Sequence, residues 1–301
     1  MNRAVLASLA AFVSLSAYAA IQAPLPITGG MVTGIPGKNP DIRVYKGIPY
    51  AAPPVGALRW KEPQPVTPWK DVKTAAEFGA SCPQSLYAET SPYYQPPFER
   101  SEDCLYLNVW TSAKASTDKR PVMVWIHGGG YTRGSGATPT YNGELLASKG
   151  AVVVTVNYRL GPFGFFAHPE LTKESPNHAS GNYGLLDTVA ALQWVQKNIA
   201  QFGGDPKRVT IFGESAGSSA VNFLMASPLA KGLFHRVIGE SGANFGRRAM
   251  LAEVEQTGAK HGDLASLRAK STEEIMKMPN TRPCVDGYFL KDDVSTVFAK
   301  G

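Results

Sequence analysis

Residues 209–220 (VTIFGESAGSSA) contain a serine whose neighbours could make it a nucleophile. Residues 213–217 have the form Gly-x-Ser-x-Gly, after a branched apolar run and before small, helix-compatible residues. On a sharp strand-to-helix turn bulky neighbours would clash, so glycine on both sides has a steric reason. The helix that follows would point its free N–H groups at an oxyanion beside the serine. We therefore predict Ser215 as a nucleophile.

A run of three glycines, in residues 127–130 (HGGG), follows a second apolar stretch. Backbone N–H groups of glycine approach a substrate closely because no side chain blocks them, and an oxyanion hole requires that approach. We predict that the donors are the N–H groups of Gly129, Gly130 and Ala216. The loop must bring its backbone to the oxyanion, so His127 is interpreted as a structural residue.

A serine nucleophile also needs a general base. The remaining histidines are His168, His178, His235 and His261, and none follows a late strand with an acid upstream of it. Ordinary surface or core positions explain all four.

Neighbouring polar residues receive structural interpretations too. Glu214 abuts the serine, but on a tight turn its side chain should point away and make a buried supporting hydrogen bond. Asp187 and Glu240 are expected to anchor loops. Ser241 lies in GESGA, which lacks the second glycine at the required position, and is not a rival nucleophile.

The order of apolar runs predicts an α/β fold with a mostly parallel central sheet and helices on both faces. Short edge strands are expected at 31–35 and 42–50. The later strands and helices alternate: strands at 104–110, 120–130, 151–161, 207–212 and 235–242, and helices from 184 to the glycines at 203–204 and over 216–225. Beyond residue 244 the pattern is helical and polar, with a capping box at Ser271 and Glu274. No repeat or linker marks a domain boundary.

Two long stretches, 102–110 (EDCLYLNVW) and 202–217 (FGGDPKRVTIFGESAG), closely resemble the signatures of type-B carboxylesterases, the carboxylesterase/lipase family that includes the cholinesterases. Residues 45–60, 181–187 and 285–290 resemble that family in the same order. Ser112 departs from it, since the family usually has proline there. The resemblance implies an α/β-hydrolase fold, the roles given above to Ser215 and the three N–H donors, and a Cys82–Cys104 disulfide.

The resemblance also implies partners for the serine that these residues do not contain. In the family the triad acid is a glutamate in a GTNxDEG-like stretch after the VDGxFL segment, and the histidine follows later. The sequence ends at Gly301, before both. We therefore expect residues 20–301 to be the N-terminal portion of a single hydrolase domain, truncated at its C-terminus. Alone it should be neither an active esterase nor a monomer, because the strand near 235–239 would expose an apolar edge.

Composition and the N-terminus limit the location and partners. The 301 residues are 44% hydrophobic with a net charge of +6, and the charges are scattered, which excludes a nucleic-acid arm. Residues 1–19 have the basic, apolar and small-residue pattern of a signal peptide, so we expect export to the periplasm or medium. No later stretch is long enough to span a membrane.

Three cysteines in an exported chain leave one over. Cys82 and Cys104 flank a segment rich in proline and tyrosine, where closing the loop covalently would be useful, and Cys284 then stays free.

These observations together predict a serine carboxylesterase that forms an acyl-enzyme on Ser215, acts on a small-molecule ester and needs no metal or organic cofactor. Two alternatives remain open: a non-catalytic, cholinesterase-like binding module, and an inactive truncated product. Aromatic residues near the glycines suggest an apolar pocket lining, namely Tyr131, Phe163, Phe165 and Phe166.

Overall fold

A computed structural model describes residue 21, residues 24–91, residue 94 and residues 99–300. The predicted signal peptide lies outside the described residues. The strands are β1 Leu25–Ile27, β2 Gly30–Thr33, β3 Ile35–Pro36, β4 Arg43–Pro49, β5 Lys73–Thr74, β6 Tyr106–Thr111, β7 Arg120–Ile126, β8 Val152–Val156, β9 Gly204–Glu214 and β10 Arg236–Glu240. The α-helices are α1 Glu144–Ser148, α2 Gly161–Phe165, α3 Pro169–Glu174, α4 Tyr183–Asn198, α5 Ala216–Ala226, α6 Leu251–Gly258, α7 Leu264–Ala269, α8 Thr272–Met276 and α9 Val294–Ala299.

The main sheet has seven strands in the order β10-β9-β7-β8-β6-β4-β3. Strands β7 to β10 pair in parallel, whereas β3, β4 and β6 pair antiparallel with their neighbours. Helices α4 and α5 lie between successive strands of the parallel part, which supplies the crossover connections that parallel pairing needs. No α-helix separates β3, β4 and β6 along the described chain, so these strands have no helical crossover of the kind that parallel pairing needs. The prediction of a parallel sheet therefore holds for the half of the sheet that contains the predicted site.

Burial follows the sequence pattern. All five residues of β8 are buried, as a strand covered on both faces requires. One large apolar cluster joins the sheet to α4 and α5, and a smaller one, which includes Val44, Trp110 and Val153, lies under α1. The predicted capping box of α8 forms between Ser271 and Glu274. Among the described residues, no helix combines the length and apolar character that crossing a bilayer requires.

Strand β10 forms the exposed edge of the described sheet. All five of its residues are exposed, with Val237 at 37% and Ile238 at 43%. Uncovered strand edges pair with other chains. We expect the chain to self-associate in size-exclusion chromatography and Ile238→Lys to reduce that association. Elution of the unmodified chain as a monomer would contradict this expectation.

Candidate active site

Ser215 occupies the single-residue turn between β9 and α5. Its φ of 54° and ψ of −117° lie outside the ordinary helix and strand regions. Its N–H donates to the Glu240 carbonyl at 2.8 Å, which ties the turn to β10. A Cβ added at Gly217 would lie 2.0 Å from the Ile126 carbonyl oxygen, and one at Gly213 would lie 2.6 Å from the backbone of Gly217. Both flanking positions therefore require glycine.

The loop after β7 brings the glycine run beside this turn. Gly129 and Gly130 have φ values of 95° and 64°. The Gly129 carbonyl accepts N–H bonds from Thr132 and Arg133, both at 3.1 Å, so the Gly130 N–H, which belongs to the same trans peptide, points the opposite way. Within the described backbone, neither glycine N–H donates to another group, and the first N–H of a helix, here that of Ala216, has no intrahelical acceptor. Gly129, Gly130 and Ala216 each border a cavity that Ser215 also borders, and their role as donors stays a prediction.

Two cavities meet at Ser215. The larger has a volume of about 570 Å³ and includes Ser215, Glu214 and all three glycines 128–130 in its wall. The smaller has about 290 Å³, and Ser215, Gly130 and Ala216 belong to its wall. Adjacent parallel strands β7, β9 and β10 end at this point, and open α/β sheets bind ligands at the carboxyl ends of their strands.

Three of the four aromatic residues that the sequence suggested for the pocket lining do not border a cavity at Ser215. Phe163 and Phe165 lie in α2, which is entirely buried, and Phe166 packs on Trp60 with ring centroids 5.1 Å apart. Only Tyr131 of that group borders a cavity at Ser215. The larger cavity is lined by other apolar and aromatic residues, Leu86, Tyr87 and Tyr141, and by polar ones, including Ser81, Gln84, Arg100, Thr132, Arg133, Ser135, Thr138 and Thr140. The aromatic cluster fills the core because its short helix packs against α4.

His127 has the structural position that the sequence predicted. Its buried ring stacks on Tyr158 at 4.4 Å between centroids, and Nδ1 lies 2.9 Å from the Gly128 carbonyl oxygen. Burial lowers the pKa of His127 to about 4, so the ring is neutral at pH 7. It does not border either cavity at Ser215.

The other histidines also lie away from Ser215. His168 caps α3 by accepting the Glu170 N–H at 3.1 Å, and its Nε2 lies 3.1 Å from the Gly262 carbonyl oxygen. His235 accepts the Val209 N–H at 3.3 Å. His178 is exposed, and His261 contacts the Phe166 ring. No described histidine therefore lines the two cavities.

We expect the neutral His127 to make the fold sensitive to acid. An unfolded histidine has a pKa of about 6.5, so between pH 6.5 and 4 the unfolded chain binds a proton that the folded chain rejects. Stability is therefore complete above pH 6.5 and falls as the pH decreases, with about 2 kcal/mol lost at pH 5 through this residue. Urea denaturation at pH 7 and pH 5 measures the difference. His127→Gln should flatten it and exposed His178→Gln should not; equal losses in all three proteins would contradict the assignment.

The acids near the motif divide into two groups. Asp187 anchors the loop after β8, as predicted: it accepts hydrogen bonds from the backbone N–H and the guanidinium of Arg159. The prediction of a buried hydrogen bond for Glu214 is wrong. Its half-buried carboxylate lies in the wall of the larger cavity beside Gly128 and has no hydrogen bond within the described structure.

The cysteines have the arrangement that the resemblance implied. A disulfide joins Cys82 and Cys104, and Cys284 is a buried free thiol whose pKa is raised by burial. No group of three or more His, Cys, Asp or Glu residues in the described segments could hold a metal ion. The absence of a cofactor stays a prediction.

The sequence matches the model of the carboxylesterase family over residues 21–287. It is 45% identical over 287 residues to the fumonisin B1 esterase of Sphingopyxis macrogoltabida, covering 90% of this chain and 52% of that protein. It is 47% identical over 247 residues to the para-nitrobenzyl esterase of Bacillus subtilis (strain 168), covering 78% and 48%. The chain spans about half the length of these curated relatives.

Solved structures show the same fold. A thermophilic PNB esterase superposes with a TM-score of 0.84 at 37% identity, covering 93% of this chain and 61% of the other. A PNB esterase superposes with a TM-score of 0.82 at the same identity and coverage. The predicted α/β-hydrolase fold is thereby confirmed, and the chain belongs to the carboxylesterase family.

Proposed function

We propose that this protein is a serine carboxylesterase. Ser215 attacks the carbonyl carbon of an ester, and the N–H groups of Gly129, Gly130 and Ala216 stabilise the negative charge that develops on the carbonyl oxygen. The alcohol leaves, and water then releases the acid from the acyl-enzyme. The observation that carries this proposal is the placement of a strained serine in a cavity wall beside three unused backbone N–H groups.

We infer that the general base and its acid come from polypeptide outside these 301 residues. Five histidines are present, and none borders a cavity at Ser215. A serine hydroxyl is a poor nucleophile at neutral pH without a base within hydrogen-bond reach. In serine hydrolases whose catalytic triad has been removed by mutation, the oxyanion hole and substrate binding alone still accelerate hydrolysis by some 10³–10⁴-fold over the reaction in water. We expect the 301-residue chain to be correspondingly slow.

The domain assignment, the export signal and the rival functions belong to the same proposal. We propose that residues 20–301 form the N-terminal portion of one hydrolase domain and that residues 1–19 direct export.

A non-catalytic binding module would not require the serine and the oxyanion hole together, and both features are present. An inactive truncated product would have the same site without its base.

Covalent labelling tests the proposal. A fluorophosphonate reacts with an activated serine, and peptide mass spectrometry locates the label. We expect label on Ser215, slowly in the 301-residue chain and much faster in a version lengthened through the downstream reading frame, which should also hydrolyse p-nitrophenyl butyrate. Label on a different serine, or none in either protein, would overturn the proposal. Equal rates in both proteins would place a base within these residues, with His261 and His235 the first to mutate.

A further inference from the structure

We propose that the smaller cavity binds a carboxylate group of the substrate, so that the preferred ester has an anionic group on one of its two halves. This inference rests on the proposed function of Ser215 and adds the substrate class. It is carried by two arginines, Arg248 and Arg282, which line the same cavity as Ser215 and the two donors Gly130 and Ala216.

Arg248 has a buried hydrogen-bond donor without an acceptor. Its guanidinium lies over the Phe223 ring at 5.4 Å, and its Nη2 donates to the side-chain oxygen of Asn244. Asn244 is held in turn by its bond to the Ser219 carbonyl at 2.7 Å. The Nε of Arg248 is buried and has no partner among the described residues. A buried donor left unsatisfied costs free energy, so the Arg248 side chain has hydrogen-bonding capacity that its described neighbours do not use.

Arg282 is the second arginine of the cavity wall. It donates one of its five N–H groups, on Nη1, to the Gly130 carbonyl at 2.8 Å. The same nitrogen would lie 3.8 Å from a Cβ added at Gly130, so it is close to the proposed oxyanion hole. Its side chain is otherwise exposed, and the remaining donors are available for a planar, bidentate bond to a carboxylate.

The charge of this cavity is not neutralised by its own walls. No acidic residue is among the described residues that line it. The Asp293 carboxylate accepts a hydrogen bond at 2.6 Å from the backbone N–H of Arg248, and not from its guanidinium. Neither Arg248 nor Arg282 forms an ion pair within the described structure, whereas the neighbouring Arg247 pairs with Glu253. Burial raises the pKa of the Tyr131 hydroxyl in the same wall, and both arginines act to lower it, which agrees with their proximity to the cavity.

The larger cavity differs in its charges. Its two arginines are Arg100, which donates to the Gln84 carbonyl, and Arg133, which stacks over Tyr87 at 4.6 Å. The carboxylate of Glu214 is also in its wall and opposes an anionic ligand. The smaller cavity, at about 290 Å³, lies at the lower limit of the ligand pockets of roughly 300–1,000 Å³ found in proteins. It therefore fits a short chain that ends in a carboxylate.

Calorimetric titration of the 301-residue chain tests this inference without requiring turnover. Monomethyl glutarate places a carboxylate on the acyl half of an ester, the butyrate ester of 3-hydroxypropanoate places it on the alcohol half, and dimethyl glutarate is neutral. We expect at least one anionic ester to bind about tenfold or more tightly than the neutral one, and the better anion identifies the half that occupies the cavity. High salt should weaken only the anions.

Arginine variants complete the test. Arg248→Gln and Arg282→Gln should each weaken binding of the preferred anion by about tenfold or more, and should weaken it much more than they weaken binding of the neutral ester. Arg247→Gln is the matched control, since it removes the same charge from an adjacent exposed side chain. Equal affinity for charged and neutral esters, or an equal loss in the control, would overturn the inference. The titrations measure binding and not reaction. A failure of Ser215 to react with phosphonate would therefore refute the proposed function without changing the outcome of the binding test.

Discussion

Replacement of Ser215 by alanine should abolish ester hydrolysis and phosphonate labelling while the fold stays intact. The variant removes the only atom proposed to bond to the substrate, and the unused N–H groups around it remain. In another serine hydrolase, loss of the nucleophile lowers kcat by about 10⁶-fold, and we expect a loss of that order in the lengthened, active protein. Initial rates with p-nitrophenyl butyrate and far-ultraviolet circular dichroism measure the two effects.

Ser241 provides the matched control for this experiment. It follows β10, borders the smaller cavity and has a similar φ of 53°, but its GESGA segment lacks the second glycine of the motif. Ser241→Ala should leave both labelling and turnover nearly unchanged. Persistence of label on Ser241 or another serine in the Ser215→Ala protein would show that the nucleophile has been assigned incorrectly.

Truncation of Asp187 to alanine should have the largest effect on stability. Asp187 and Arg159 are almost completely inaccessible, and the carboxylate accepts three hydrogen bonds from Arg159, one backbone and two from the guanidinium. Asp187→Ala leaves a buried guanidinium without its partner, which costs about 3–5 kcal/mol. The free energy of unfolding, measured by urea denaturation, should fall by that amount.

Two further variants separate the lost partner from general damage. The exposed pair of Lys300 and Asp292 is a control, because Lys300→Ala should leave the urea midpoint nearly unchanged. The double variant Arg159→Met/Asp187→Leu removes both charges and should be less destabilised than Asp187→Ala, since an apolar pair of similar size carries no uncompensated charge. A double variant that is less stable than the single one would show that the ion pair itself, rather than the stranded arginine, governs stability.

The sequence by itself determined the features that depend on short stretches of chain. The Gly-x-Ser-x-Gly turn was predictable because its strand, its glycines and its helix are contiguous, and the added-Cβ distances at Gly213 and Gly217 give the steric reason. The buried run of β8 and the capping box at Ser271 were predictable for the same reason, since burial on both faces and local hydrogen bonds are written in neighbouring residues. Long family motifs extended that local information to the whole fold.

Only the tertiary structure decided which distant residues share a cavity. Arg248 and Arg282 are 34 positions apart and have no motif, yet the segment after β10 and the segment before Cys284 place both in the wall of the smaller cavity. Phe163 and Phe165 were expected to line the pocket, but packing of α2 against α4 buries them in the core. Glu214 lines a cavity instead of making a buried hydrogen bond. The direction of a side chain and the set of residues that line a cavity depend on contacts between segments that are distant in sequence. Local residue patterns do not predict those contacts.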